Sequence, residues 1–531
     1  MGGSGKAGLV DVNIDNVGKI GIIQDIPPYE LPPEAWSDGK NVLFIDGSVY
    51  KRFGQSSVTG NPTTNPYWIM HAPTIDNVDF WVYGGIGTLR ANLNQSHATI
   101  GSGLGGARDD RWNGVMFGGI ALFNNGISDP QMWTPPGLAQ PVATLSNWPA
   151  NTKAKVIRAF DRFLIALNIT ESSVSKPQMV KWSSSAPIGA VPLTWDETDA
   201  TKDSREWPLQ ETSGACIDCK PLGNVNFVYK SDSVHTMQHI GGPFVFKFER
   251  KFDFGILAQD CVVEYKRKHF VATHEDVIMH DGLQAQSILD ARMRRWYEGF
   301  QSSANVGRSY MAIAGKQILV CFADVGANEP NVALVIDAET GTLSIRDLLG
   351  VSFITSAPFA ALGSTVYDVM NIKFDQMVGK FGQTSFGKNR DRFIGTMPEV
   401  SRIVMLEQGL SDLTQPYTAY VERTGLAIVG KDRLGNPKVD QTAIKFVHSV
   451  WPKIRLQNGT TIRVYVGSQE KPEGPITWSP PQNFNPDFCP YVDGFDVVGP
   501  YIAVRFESTD NTLWKLDGYK LDMEIIGRTA A

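Results

Sequence analysis

From Tyr67 to about Glu407 the chain repeats one local pattern. A short apolar run, alternating or β-branched, is closed by a cluster of Gly, Asn, Asp or Pro. The clearest instance is 260–300, DCVVEYKRKHFVATHEDVIMHDGLQAQSILDARMRRWYEGF. Alternation through 262–265, 269–272 and 277–279, with a turn at Asp281-Gly282, predicts consecutive antiparallel strands. Beyond the turn, Ser287 or Asp290 is placed to cap a short helix carrying Arg292, Arg294, Arg295 and Trp296. A second hairpin is expected over 332–348, VALVIDAETGTLSIRDL, and similar runs occur at 80–83, 115–123, 163–167, 225–229, 244–248 and 318–323. Units this short cannot bury a core alone, so their recurrence predicts a repetitive all-β architecture, either a propeller or a β-helix. Blade-sized units of about 40–50 residues give about seven or eight blades.

Two flanking regions break the pattern. The first 55 residues read as a Gly-rich start, a strand-like 20–23 and the pairs Pro27-Pro28 and Pro32-Pro33, then strand-like 41–45 and 48–52 around Asp46-Gly47. This is an extended arm ending in a hairpin. After Glu407, longer runs at 417–429, 443–450, 461–467, 495–506 and 519–526 suit a β-sandwich. The expected division is therefore 1–55 for the arm and hairpin, 56–407 for a β-propeller with insertions, and 408–531 for a C-terminal β domain. Inside the propeller, 134–149 is a proline-rich loop. The polar excursion 182–207, with Trp182, Trp195 and Trp207, is expected to pack across a blade edge. Helix candidates are confined to 290–300 and 370–377.

Composition narrows the function classes. The chain has 531 residues, more than one ordinary core, and 51 glycines and 31 prolines favour turns over long helices. A net charge of -6 gives no global basis for binding duplex DNA. No stretch approaches the roughly 20 apolar residues of a membrane span. The N-terminus lacks a signal-peptide core, so assembly in a cytoplasm is expected. Five cysteines, an odd number set in strand-like runs, suit reduced buried thiols.

Each fragment of a chemical motif lacks a necessary part. Cys216 and Cys219 have CxxC spacing, but a zinc site needs two further ligands, and His235 and His239 lie in a strand-like stretch. His274-Glu275 opens like HExxH, yet Ile278 stands where the second histidine belongs. His274 and His280 then read as surface groups beside a turn. The GxGxxG at 101–106 has no strand before it, and GGSGK at 2–6 has no hydroxyl residue after the lysine. Asp109-Asp110 and Asp196-Glu197 are acidic pairs on loops. A glycosidase needs two carboxylates about 5–10 Å apart across a cleft, which adjacency does not establish. Basic clusters at 266–268, 292–295 and 388–392 read as a solvated surface, an inter-subunit contact or a rim facing a polyanion. No catalytic, cofactor-binding or metal-binding residue is assigned, and no cofactor is expected.

Several stretches, taken in order, carry a resemblance. NVLFIDGSVYKRFG (41–54), behind a proline-rich arm, resembles the N-terminal hairpin of tail nozzle (tail hub) proteins of short-tailed bacteriophages. Trp182-Ser183, PLTW (192–195), FVYKSDSVHTMQHI (227–240), Gly255 and HFVATHEDVIMHDGLQAQS (269–287) are similar in order to the propeller of that family. WKLDGYKLDMEIIGR (514–528) resembles its closing strand. The resemblance implies a non-enzymatic structural virion protein: a six-bladed β-propeller with an added β domain, assembled as a homohexamer in the host bacterial cytoplasm. It implies a ring below portal and adaptor (the head-to-tail connector) that extends the DNA ejection channel. Needle, spike or fibre proteins dock on it, and genomic DNA passes without sequence recognition. The alternative carried by the acidic pairs is a propeller-fold glycan hydrolase, a depolymerase on the virion.

Overall fold

The computed structural model describes residues 9–74, 78–134, 137–138, 140–300, 304–358, 391–431, 437–456 and 460–529. Among them are seven four-stranded antiparallel sheets, each with strands in the order one-two-three-four. They span 68–101, 113–144, 152–208, 216–252, 262–287, 310–347 and 353–406, here blades 1 to 7. First strands of blades 1 to 4 lie side by side, as do those of blades 5, 6, 7 and 1. Blades 4 and 5 meet through Phe227, Tyr229, Val262 and Phe270 in one buried cluster. The ring is closed, and the protein is a β-propeller.

Seven blades replace the six that the resemblance implies, and match the count from unit length. The reason lies in blade 7, whose fourth strand is Gln55–Ser57 from the N-terminal region, paired with Arg402–Leu406. A closing strand contributed from the other end of the chain leaves blade 7 a strand short in any consecutive count. It also ties the ring shut, since the blade cannot separate without breaking a non-local ladder.

The C-terminal domain is a two-sheet sandwich, and the N-terminal arm is built into it. Leu9–Asp15 pairs with Trp514–Arg528 over its whole length. The hairpin Val42–Ile45 and Ser48–Lys51 turns at Asp46-Gly47, both with positive φ, and its second strand pairs with the same long strand. Asp38–Lys40 joins the opposite sheet against Ala419–Leu426. Trp36 is buried between them, edge-on to Phe506 and tilted against Tyr519, with its indole N–H donating to Val17 O at 2.7 Å. The apolar run 495–506 proves to be two strands, Val492–Gly499 and Tyr501–Ser508, which lie in different sheets.

The short basic helix is present as Arg294–Gly299, but neither Ser287 nor Asp290 caps it. Asp25 of the arm does: its carboxylate accepts the backbone N–H of Arg294 at 2.6 Å and of Arg295 at 3.3 Å. The orphan amides of a helix start are satisfied by a residue far upstream. The second helix candidate, 370–377, lies outside the described residues. The excursion after Trp182 packs between blades 2 and 3, where Trp195 meets Trp148 edge-on at 4.8 Å.

Arm, propeller and sandwich meet at Arg52. Its guanidinium holds Asp412 through two hydrogen bonds of 2.9 and 2.6 Å, and both side chains are buried. It also donates to Asn41 Oδ1 at 2.9 Å and lies 4.0 Å over the Tyr417 ring. Asn41, with positive φ, donates to Asp347 of blade 6 and to Thr418 O. Asp412 holds the guanidinium and Asp347 holds the Asn41 amide. Breaking a buried pair strands a charge, so Arg52→Met is expected to lower unfolding free energy by about 3–5 kcal/mol in urea titrations. A loss under about 1 kcal/mol would show that the ion pair does not anchor the three parts.

Candidate functional site

The cysteine pair lies on Cys216–Leu222, the first strand of blade 4. Burial pushes the thiols of both Cys216 and Cys219 up to about 12. Such thiols stay protonated at neutral pH, which does not suit exchange chemistry. His235 is buried with its Nε2 near Ser233 Oγ, while His239 is half-exposed beside Asp161. Among the described residues no cluster of His, Cys, Asp or Glu is arranged to hold a metal ion.

The acidic pairs are occupied by local partners. Asp109 pairs with Arg308 at 2.8 Å, and Asp110 accepts the Ala107 N–H at 2.9 Å. Asp196 accepts the N–H and hydroxyl of Thr198, which hold its carboxyl below the ordinary range. Glu197 is also held low: its partial burial is outweighed by the ammonium of the buried Lys181, at 2.5 Å. A general acid needs the opposite shift.

The Gly-rich loop and the residues after it have a different role. Gly103, Gly105 and Gly106 all take positive φ as the chain leaves blade 1. Residues 107–112 then cross the propeller axis. Trp112 donates to Gly85 O of blade 1 at 2.8 Å, and Asp110 stands 3.8 Å from Lys155 of blade 3. Arg111 donates to Ser309 O at the start of blade 6 and lies 3.8 Å from Asp260 before blade 5. Arg108 pairs with the buried Glu329 of blade 6. A six-residue segment can touch so many blades only at their common centre. Beside it, Arg158 of blade 3 binds Asp218 of blade 4 at 2.8 and 2.9 Å and Asp260 at 2.7 Å. Burial opposes that guanidinium's charge, but the two carboxylates outweigh it and hold its pKa above the ordinary value. The void left between the plug and blades 1, 2 and 7 is about 20 Å³, room for about one water. Residues 107–112 therefore occupy the centre of the ring at this level.

His274 and Glu275 are exposed in the turn between the second and third strands of blade 5, as a surface reading requires. His280 is not a surface group. It is buried, and its Nε2 lies 2.7 Å from Tyr229 Oη, which also lies 2.7 Å from Nδ1 of the buried His269. The remaining partners assign every proton. His269 Nε2–H donates to Pro221 O at 3.0 Å, so its Nδ1 accepts from Tyr229. Tyr229 Oη then accepts from His280 Nε2–H, and His280 Nδ1 accepts the Gly282 N–H at 3.2 Å. This is a complete neutral chain across the seam of blades 4 and 5, and sequence reading missed it. The only signal was period two: His269 and His280 are strand positions opposite each other in register. Burial lowers His269 to about 3, with the neighbouring His280 adding to the effect, and lowers His280 to about 4.

Two further groups stand out. Lys266 and Arg267 form the turn between the first two strands of blade 5, both with positive φ, a conformation that normally selects Asn or Gly. A cavity of about 520 Å³ lies between blades 6 and 7 and the arm hairpin, lined by Leu43, Phe53, Phe393, Leu406 and Trp514. Lys51 reaches it and donates to Asp510 O; desolvation lowers its ammonium to about 8.

No family model and no curated protein matches the chain. Among solved structures it is similar to BBS1N in complex with ARL6DN, at 8% identity and a TM-score of 0.37, over 68% of this chain and 96% of that one. It is also similar to the WD40 β-propeller domain of Doa1, at 11% identity and 0.37, over 68% and 97%. A third is PorZ, a surface component of the type-IX secretion system of Porphyromonas gingivalis, at 9% identity and 0.34, over 70% and 43%. At these values the likeness carries no functional argument. Among the described residues no helix is long and apolar enough to cross a membrane.

Two outcomes are expected. Gly282 has φ +91, and a Cβ there would stand 3.0 Å from Phe227 Cζ. Gly282→Val should lower stability by about 1–3 kcal/mol; an unchanged melting curve refutes the turn's role. Between pH 7 and pH 5 the unfolded chain protonates His269 and His280 near pH 6.5 while the fold keeps them neutral. The unfolded state takes up protons, so stability falls with pH, by about 2 kcal/mol per imidazole at pH 5. Urea titrations at the two pH values test this, and His280→Gln should remove about half of the loss. A stability that does not change between them excludes the neutral network.

Proposed function

We propose that the protein is a non-enzymatic structural component of a phage virion, the ring-forming nozzle of a short tail. The observation that carries this reading is the axial plug. Its arginines and aspartates are spent on holding blades together, and the acidic pairs are bound to cations or to their own loops. The ordered resemblance of the hairpin, propeller and closing-strand segments supplies the class. In this reading DNA passes between subunits, through the centre of a homohexamer, because the axis of each propeller is blocked. The ring extends the ejection channel below portal and adaptor, and needle, spike or fibre proteins dock on its outer faces. A channel wall of mixed charge suits passage without sequence recognition, since dense lysine would capture the phosphate backbone in a salt-dependent way. The interlocked arm and sandwich suit a part that must keep its shape under load. The depolymerase alternative gains nothing from the carboxylates described above.

Mass photometry and negative-stain imaging of the purified full chain test the proposal. A sixfold ring with a central opening is expected. A chain that stays monomeric even with its adaptor ring overturns it.

A further inference from the structure

The cavity between blades 6 and 7 and the arm hairpin holds about 520 Å³, the size of a small-molecule pocket and far above the gaps of a packed interior. Three regions of the chain build its apolar wall. The arm hairpin contributes Leu43 and Phe53, blade 7 contributes Phe393 and Leu406, and the sandwich contributes Trp514. Leu43, Phe393, Leu406 and Trp514 are all buried although they line this space. Aliphatic and aromatic walls of this kind take an apolar body.

Most charged groups on the wall are committed. Asp337 holds Lys316 at 2.9 Å, and Glu407 holds Arg346. Asp391 and Arg392 add one charge of each sign. Lys51 differs. It is 3% exposed; its ammonium gives one hydrogen bond, to Asp510 O, and lies 4.6 Å from the Tyr417 ring. It forms no ion pair among the described residues, and an ammonium carries three donors. Desolvation pulls it down to about 8, and the nearby Asp412 is engaged by Arg52. Two other buried amines also lack a carboxylate, but Lys230 gives three hydrogen bonds and Lys445 two, and neither lines this cavity. A buried ammonium that is short of acceptors, on the wall of a mainly apolar cavity, suits an anionic head on an apolar body.

We infer that this cavity binds an amphipathic monoanion, an apolar chain or ring with a single carboxylate head. The carboxylate accepts from the Lys51 ammonium, and the apolar part lies among Leu43, Phe53, Phe393, Leu406 and Trp514. A charge-assisted hydrogen bond away from bulk water is stronger than one at the surface, and it gives the ammonium the counter-charge that the fold does not. A cationic head on the same tail would meet a like charge. Because the wall comes from arm, blade 7 and sandwich, an occupant bridges the three and stabilises the folded chain by mass action. The inference concerns a pocket inside one subunit and is independent of the ring reading.

Decanoate and decylammonium, one tail with opposite heads, test it by titration calorimetry and melting curves on the full chain at pH 7. Decanoate is expected to bind saturably at one site per chain and to raise the melting temperature, with decylammonium at least about tenfold weaker. Lys51→Met, which keeps an apolar stem, should weaken decanoate at least about tenfold and abolish the preference for the acid, while Lys51→Arg keeps it. Val335→Phe fills the cavity from blade 6 and should weaken both probes. Melting curves without probe show which variants are folded; if Lys51→Met is not, Val335→Phe and the acid–amine comparison decide. The site is overturned by any of three results: no saturable decanoate binding, equal binding of the two probes, or a folded Lys51→Met or Val335→Phe that binds decanoate like the original.

Discussion

The Arg52–Asp412 pair is the point on which the rest of the architecture depends. A bidentate guanidinium–carboxylate pair removed from water is favourable only when its remaining polar atoms are also satisfied. Here Asn41, the Phe53 carbonyl and the Tyr417 ring complete the guanidinium's surroundings. Those groups come from the arm hairpin and from the link between propeller and sandwich, and Asn41 in turn holds blade 6. The pair can therefore form only when all three regions are in place. It sits beside the closing strand Gln55–Ser57, so the chemistry that joins the domains also helps shut the ring.

Related devices recur at several blade seams. Arg158 spans blades 3 and 4, Arg108 reaches from the blade 1–2 link to blade 6, and the Tyr229 network joins blades 4 and 5. Polar groups at these seams specify which blade sits beside which, a task that interchangeable apolar surfaces perform poorly. Several carboxylates of the motif fragments are likewise held by fixed partners, Asp109 by Arg308 and Glu197 by Lys181.

Much of the fold was legible beforehand, for reasons that differ from element to element. The hairpin at Asp46-Gly47 and the turn at Asp281-Gly282 were readable because positive φ restricts the residue types allowed there. The strands of blades 5 and 6 were readable from period two. The candidate chemistry was less so. His280 looked like a turn-flanking surface residue, because nothing adjacent in the chain reveals that Tyr229 and His269 enclose it. Asp25 could not be recognised as a helix cap, since the helix it caps begins at Arg294.

What the sequence by itself determined is local: strand periodicity, turn positions and an all-β class. These follow from steric and hydrogen-bonding preferences between near neighbours. Only the tertiary structure decided the number of blades, the pairing of Leu9–Asp15 with Trp514–Arg528, the plugged axis, and which carboxylate each buried arginine would hold. Those outcomes depend on contacts between residues hundreds of positions apart. Near-neighbour preferences do not distinguish among such partners, and packing does so only when the whole ring is closed.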